Sequence, residues 1–129
     1  MKYFTYDEFD SPDVPGSGHQ MRDEFLERLD MAREISGVPF RINSGMRSYD
    51  HNQKVGGTPN SSHLIGWAAD ISATSSNRRF VIVKALMEVG FNRIGIGDTF
   101  VHVDCDPDKV ENCIWLYCCL LYTSPSPRD

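Results

Sequence analysis

The sequence predicts an α+β domain built on a small, mostly antiparallel sheet with flanking helices. Three observations carry this prediction. Two segments repeat apolar residues at helical spacing and stop at glycine. Several short stretches alternate apolar and polar residues, as strands do. The last two of those stretches are separated only by Asp98-Thr99, which suits a tight hairpin.

In chain order, residues 1–17 read as an extended arm and turn that packs Tyr3, Phe4, Tyr6 and Phe9 onto the body, with Pro12, Pro15 and Gly16 as breakers. From about Gln20 to Ser36, Met21, Phe25, Leu29, Ala32 and Ile35 recur at helical spacing. Gly37 ends this helix and Pro39 prevents its continuation. Phe40–Ser44 alternates as a strand leading into Gly45. Arg47 to about Lys54 is a short polar helix, 56–60 a loop, and Trp67–Ser72 a strand. Ser75-Ser76-Asn77 offers a cap for a helix from about Arg78 to Val89, with Phe80, Val83, Leu86 and Met87 apolar and Gly90 at its stop. Arg93–Gly97 and Phe100–Asp104 form the hairpin, and Cys113–Tyr117 is a last strand.

Composition narrows the function. The 129 residues suit one domain, and a net charge of −5 without a basic stripe argues against nucleic-acid binding. No apolar run is long enough to insert in a membrane. The acidic start lacks the apolar core of a signal peptide, so the expected location is cytoplasmic as made. Cys105, Cys113, Cys118 and Cys119 form no C-x-x-C pair and read as reduced thiols. Residues 119–129 show no periodicity and end rich in Pro and Ser. They resemble a sequencing adapter translated in frame and read as a non-native or disordered tail, leaving 1–118 as the domain.

The chemistry concentrates in Ser61-Ser62-His63-Leu64-Ile65-Gly66-Trp67-Ala68-Ala69-Asp70 and in Phe100-Val101-His102-Val103-Asp104. Residues two apart in a strand share a face, so Ala68 pairs with Asp70, and His102 with Asp104. If the two strands are neighbours, His63, Asp70 and His102 converge, with Gly66 permitting the turn that returns the His63 ring over Asp70. Two imidazoles and a carboxylate suit one Zn²⁺ ion and leave a coordination position open. Such a site activates water and polarises a carbonyl, which points to a metal-dependent hydrolase. Hydrolysis of a peptide also needs a base, for which Asp104 is the first candidate and Asp98 the second, and a cation at the developing oxyanion, for which Arg47 is placed after its strand. Asp104 as a partner that holds a histidine ring is the alternative. His19, His51 and Trp67 read as a helix-end residue, a solvated residue and a packing residue.

The segment Ser61-x-His63-x-x-Gly66-x-Ala68-x-Asp70 resembles the signature of the zinc D-alanyl-D-alanine carboxypeptidases and L-alanyl-D-glutamate peptidases, whose fold hedgehog signalling domains share. Ser44-Gly45-Met46-Arg47-Ser48 resembles that family's arginine-bearing element, and Phe100–Asp104 its last metal-ligand strand. The resemblance covers roughly Tyr3 to Tyr117. It implies His63, Asp70 and His102 as zinc ligands and Arg47 as electrostatic stabiliser. It also implies peptidoglycan peptides as substrates. The compact length, the missing signal and the absence of a wall-binding module fit a monomeric lysin released by a phage lysis system, or a cytoplasmic recycling peptidase. One position departs from the family pattern: an acidic base commonly stands three residues before the last histidine, and here that residue is Thr99. A zinc-binding module that binds a partner without catalysis is the rival reading.

Overall fold

The computed structural model describes residues 1–117, so the expectations for Cys118, Cys119 and the 119–129 tail lie outside the described residues. Five strands form one mixed sheet: β1 (Ile42–Ser44), β2 (Ala68–Ser72), β3 (Arg93–Ile96), β4 (Phe100–Asp104) and β5 (Cys113–Leu116), in the order β1-β2-β4-β3-β5. All neighbours are antiparallel except β3 and β5, which run parallel. Three helices accompany it: α1 (Asp23–Ser36), α2 (Tyr49–Lys54) and α3 (Ser76–Glu88).

The alternation of the strands divides the sheet into two faces. Ala69, Ile71, Ile94, Val101 and Val103 point to one side and join Phe25, Leu26, Leu29, Ile82 and Leu86 of the helices in the buried core. The other face carries Asp70, Arg93, Gly95, His102, Asp104 and Trp115, brought level by pairing of Asp70 with His102, of Arg93 with Asp104 and of Gly95 with both His102 and Trp115. Every functional side chain on the central strands is therefore on the face away from α1 and α3.

The helices follow their local signals with corrections at their starts and faces; α2 begins at Tyr49 with Ser48 as its cap, so Arg47 lies outside it. α1 begins at Asp23 rather than Gln20, because Ser17–Gln20 is a separate 3-10 turn and Met21 is extended. It ends at Gly37, in the left-handed region at φ 71°. α3 is capped by the Ser75 hydroxyl, which accepts from the Arg78 amide. Its buried stripe is Ile82, Ala85 and Leu86; Phe80 and Met87 are exposed, as is Ile35 of α1. The i, i+3, i+4 arc centred on Ile82 leaves room on the core face for only part of each apolar set. The N-terminal arm buries Phe4 and Phe9 as expected, but Tyr6–Phe9 is a 3-10 turn rather than extended chain. Cys105 and Cys113 are free thiols. Among the described residues no helix is long and apolar enough to cross a membrane.

Candidate metal centre

Each ligand candidate is aimed by a different local device. Asp70 and His102 face each other across the β2–β4 ladder, a pairing set by strand register. His63 lies in the 3-10 turn Ser62–Ile65, which opens with the Ser61 hydroxyl accepting from the His63 amide at 3.2 Å. The turn closes on Gly66 at φ 79°, where a Cβ would lie 2.5 Å from the Gln20 carbonyl oxygen. Only glycine accepts both that conformation and that approach.

Three ligand atoms from His63, Asp70 and His102 lie within 4.8 Å of one another. The tautomers follow from the surroundings. His63 Nδ1 is 2.7 Å from the Gly45 carbonyl oxygen, which can only accept, so Nδ1 carries the proton and Nε2 is a lone pair. That Nε2 is fully buried and has no hydrogen-bond partner, although Asp70 Oδ1 is 3.3 Å away. A buried lone pair facing a carboxylate oxygen is unfavourable unless a cation lies between them. His102 repeats the pattern: Nε2 meets Asp104 Oδ2 at 2.8 Å, leaving Nδ1 to face the same Asp70 Oδ1 at 2.8 Å. Tetrahedral ligands about 2.1 Å from zinc are about 3.4 Å apart. The donor types suit that ion, the His63–Asp70 separation of 3.3 Å matches this spacing, and the His102–Asp70 separation of 2.8 Å is that of a hydrogen bond.

The charges agree with this geometry. Burial pushes the His63 imidazole down, keeping it neutral. Burial would also lower His102, but hydrogen bonds to Asp104 and Asp70 outweigh it and raise the ring to about 10. Burial would raise Asp70, yet its hydrogen bond from the protonated His102 outweighs burial and holds the carboxyl well below the usual range. Without metal, a proton on His102 Nδ1 does the bridging.

This has a measurable consequence. His102 is raised above its ordinary value of 6.5, so its contribution to stability is complete below about pH 6.5 and lost as pH rises through about 10. The melting temperature of the metal-free protein should fall across that window. Zinc at pH 8 should displace close to one proton, seen as a buffer-dependent binding enthalpy. A pH-independent melting temperature together with proton-neutral zinc uptake would contradict the bridging role.

Arg47 reaches the same place. A β-bulge between Ile42 and Ser44 sets Ser44 opposite Asp70, and the chain then turns through Gly45. A Cβ on Gly45 would be 2.8 Å from both Cα and Cβ of Phe9, so glycine is needed where these segments touch. The Arg47 amide donates to the His63 carbonyl at 3.0 Å, tying the two loops together. Its guanidinium is held by Ser44 Oγ at 3.2 Å and by Asn52 Oδ1 at 3.1 Å, with Nη2 3.4 Å from Asp70 Oδ2. Arg47 and Asp70 keep 10% and 14% side-chain exposure while His63 and His102 have none, so the cluster opens to solvent on the Arg47–Asp70 side.

The two base candidates are placed elsewhere. Asp104 is fully buried against the His102 ring edge opposite Nδ1, with Oδ1 on Arg93 Nε at 2.6 Å and Oδ2 on His102. The expectation that its carboxylate approaches water at the metal is not met; the strand face is shared, but the ring stands between. Asp98 is exposed at the hairpin tip, and its backbone carbonyl accepts from Arg79 of α3 at 2.6 Å. Neither belongs to the ligand group. Trp67 is half-buried against the core, with the Arg22 guanidinium 5.6 Å from its ring centroid, in keeping with a packing role.

Arg93, Asn52, the Gly45 carbonyl and Tyr117, whose ring centroid is 6.3 Å from that of His102, were not singled out in the sequence. For Arg93 a signal existed: a hairpin turning on Asp98-Thr99 pairs it with Asp104.

The sheet thus carries on its open face a His-Asp-His group that could hold a metal ion, with an arginine beside it. The family model for peptidase M15 matches residues 2–106, and the chain belongs to that peptidase family. No curated protein matches it.

Proposed function

We propose that the chain is a zinc-dependent peptidase that hydrolyses peptidoglycan peptides, of the D-Ala-D-Ala carboxypeptidase or L-Ala-D-Glu endopeptidase type. The family match supports the peptidase class. The observation that carries the metal is the orphaned, fully buried His63 Nε2 aimed at Asp70 Oδ1. His63 through Nε2, Asp70 through Oδ1 and His102 through Nδ1 would hold one zinc ion. When bound, zinc supplies Lewis acidity, making water nucleophilic near neutral pH and polarising the scissile carbonyl. Arg47 Nη2 presents its charge at the open side, where an oxyanion develops or a substrate carboxylate docks. Ser44 and Asn52 keep that guanidinium from swinging away. The working unit in this reading is the monomer, delivered to the wall by a phage lysis system or retained inside the cell for recycling.

Digestion of purified peptidoglycan by the zinc-loaded protein, with new termini identified by mass spectrometry, tests the reading. A new N-terminal D-Glu marks endopeptidase cleavage of L-Ala-D-Glu, and released D-Ala marks a carboxypeptidase. The positions of Asp104 and Asp98 favour one rival: a module that binds zinc and a partner without hydrolysis. Stoichiometric zinc with no cleavage of any wall peptide would establish that rival.

A further inference from the structure

We infer that Arg93 is a positioning residue of the metal centre, fixing His102 as a ligand by acting through Asp104. This rests on reading His63, Asp70 and His102 as that centre. An imidazole offers a metal only the nitrogen its surroundings leave unprotonated, and a partner on the other nitrogen decides which that is. For His63 the partner is the Gly45 carbonyl, part of the backbone. For His102 it is Asp104 Oδ2, carried on a side chain that can turn about its χ angles unless a partner holds it.

Arg93 removes that freedom. Its Nε donates to Asp104 Oδ1 at 2.6 Å, much closer than the Asp106 amide at 3.4 Å on the same oxygen, while Oδ2 is left to the histidine. Arg93 is only 2% exposed and is itself fixed: Nη1 donates to the Val110 carbonyl at 2.6 Å, and the guanidinium carbon lies 5.0 Å from the Trp115 ring centroid. Asp104 is fully buried, and a buried carboxylate persists only with a paired charge and good hydrogen bonds. Register makes the chain of contacts continuous, since Arg93 faces Asp104 across the β3–β4 ladder and His102 is two residues from Asp104 on the same face. The ligand set thus depends on a residue that touches neither the ion position nor the open side.

The test compares the full-length wild type with Arg93→Met, using zinc affinity from competition with a chromophoric chelator and NMR of the histidine rings. Zinc affinity should drop about ten- to hundredfold, the usual effect of losing a partner behind a ligand. In the ¹¹³Cd-loaded protein, coupling to His102 Nδ1 should weaken or vanish while coupling to His63 Nε2 persists, because the Gly45 carbonyl is untouched. General loosening of the fold would disturb both histidines alike. Should Arg93→Met not fold, Arg93→Lys keeps the charge without the fork and is read the same way, with a smaller loss expected. A folded variant with wild-type zinc affinity and unchanged His102 signals overturns the inference. If the wild type takes up neither ion, the metal reading fails by itself. The downfield Nε2 proton of His102 then still decides: its loss in the variant supports the Arg93 role, and its persistence refutes it.

Discussion

His63→Ala is expected to abolish peptide hydrolysis and the stabilisation by zinc together. The side chain is fully buried and contributes the only ligand candidate from the Ser62–Ile65 turn, so no neighbouring rotamer replaces it. An ion that binds only the folded state stabilises it by about 4 kcal/mol at a thousandfold excess over Kd, and the variant loses that increment. The substitution also leaves the Gly45 carbonyl without its donor, at a cost of about 1–3 kcal/mol that is present with or without metal. The two effects separate in melting curves recorded with zinc and with chelator: the chelator curve shifts modestly, and the gap between the curves closes. A gap as large as that of the wild type would show that His63 is not a ligand.

Arg47→Met should leave zinc content intact while lowering turnover by about a hundred- to a thousandfold, the range seen when a preorganised donor to an oxyanion is removed. The methylene stem keeps the packing; the fork to Ser44 and Asn52 and the charge beside Asp70 are lost. Arg47→Lys should rescue little, because a point charge on a flexible stem cannot keep those partners and still face Asp70. Steady-state kinetics on a wall peptide, with metal content measured in parallel, decides the matter. Near-normal turnover in the methionine variant would reduce Arg47 to a structural ion pair.

Much of this centre is legible in the linear sequence because it depends on period and register. A spacing of two along β2 and β4 puts Asp70 and His102 on one face, and a two-residue turn fixes the pairing of β3 with β4. That same register pairs Arg93 with Asp104, so its role could be read before the structure, although the residue looks like a stray charge in Arg93-Ile94-Gly95-Ile96. The failure to place the base has a different origin. A shared strand face specifies a side of the sheet, not which ring edge a carboxylate meets, and Asp104 proved to be behind His102. The parallel β5 on the outer edge of β3 was not legible either, because local patterning marks a strand without naming its partner. Nor was the exposure of Phe80 and Met87, which is decided by how much of α3 the sheet covers.

The late arrival of β5 bears on which edge of the sheet is open while the chain is made. Ribosomal synthesis completes β3 and β4 before residues 113–116 emerge, and until then the outer edge of β3 presents unpaired amides and carbonyls beside Ile94 and Ile96. An open apolar edge of that kind invites pairing with another nascent chain. β5 closes it with a parallel ladder, and Trp115 covers Gly95 on the polar face, with indole Nε1 2.7 Å from where a Cβ would stand. The parallel ladder thus moves the open edge from β3 out to β5, where Ile114 and Leu116 lie exposed.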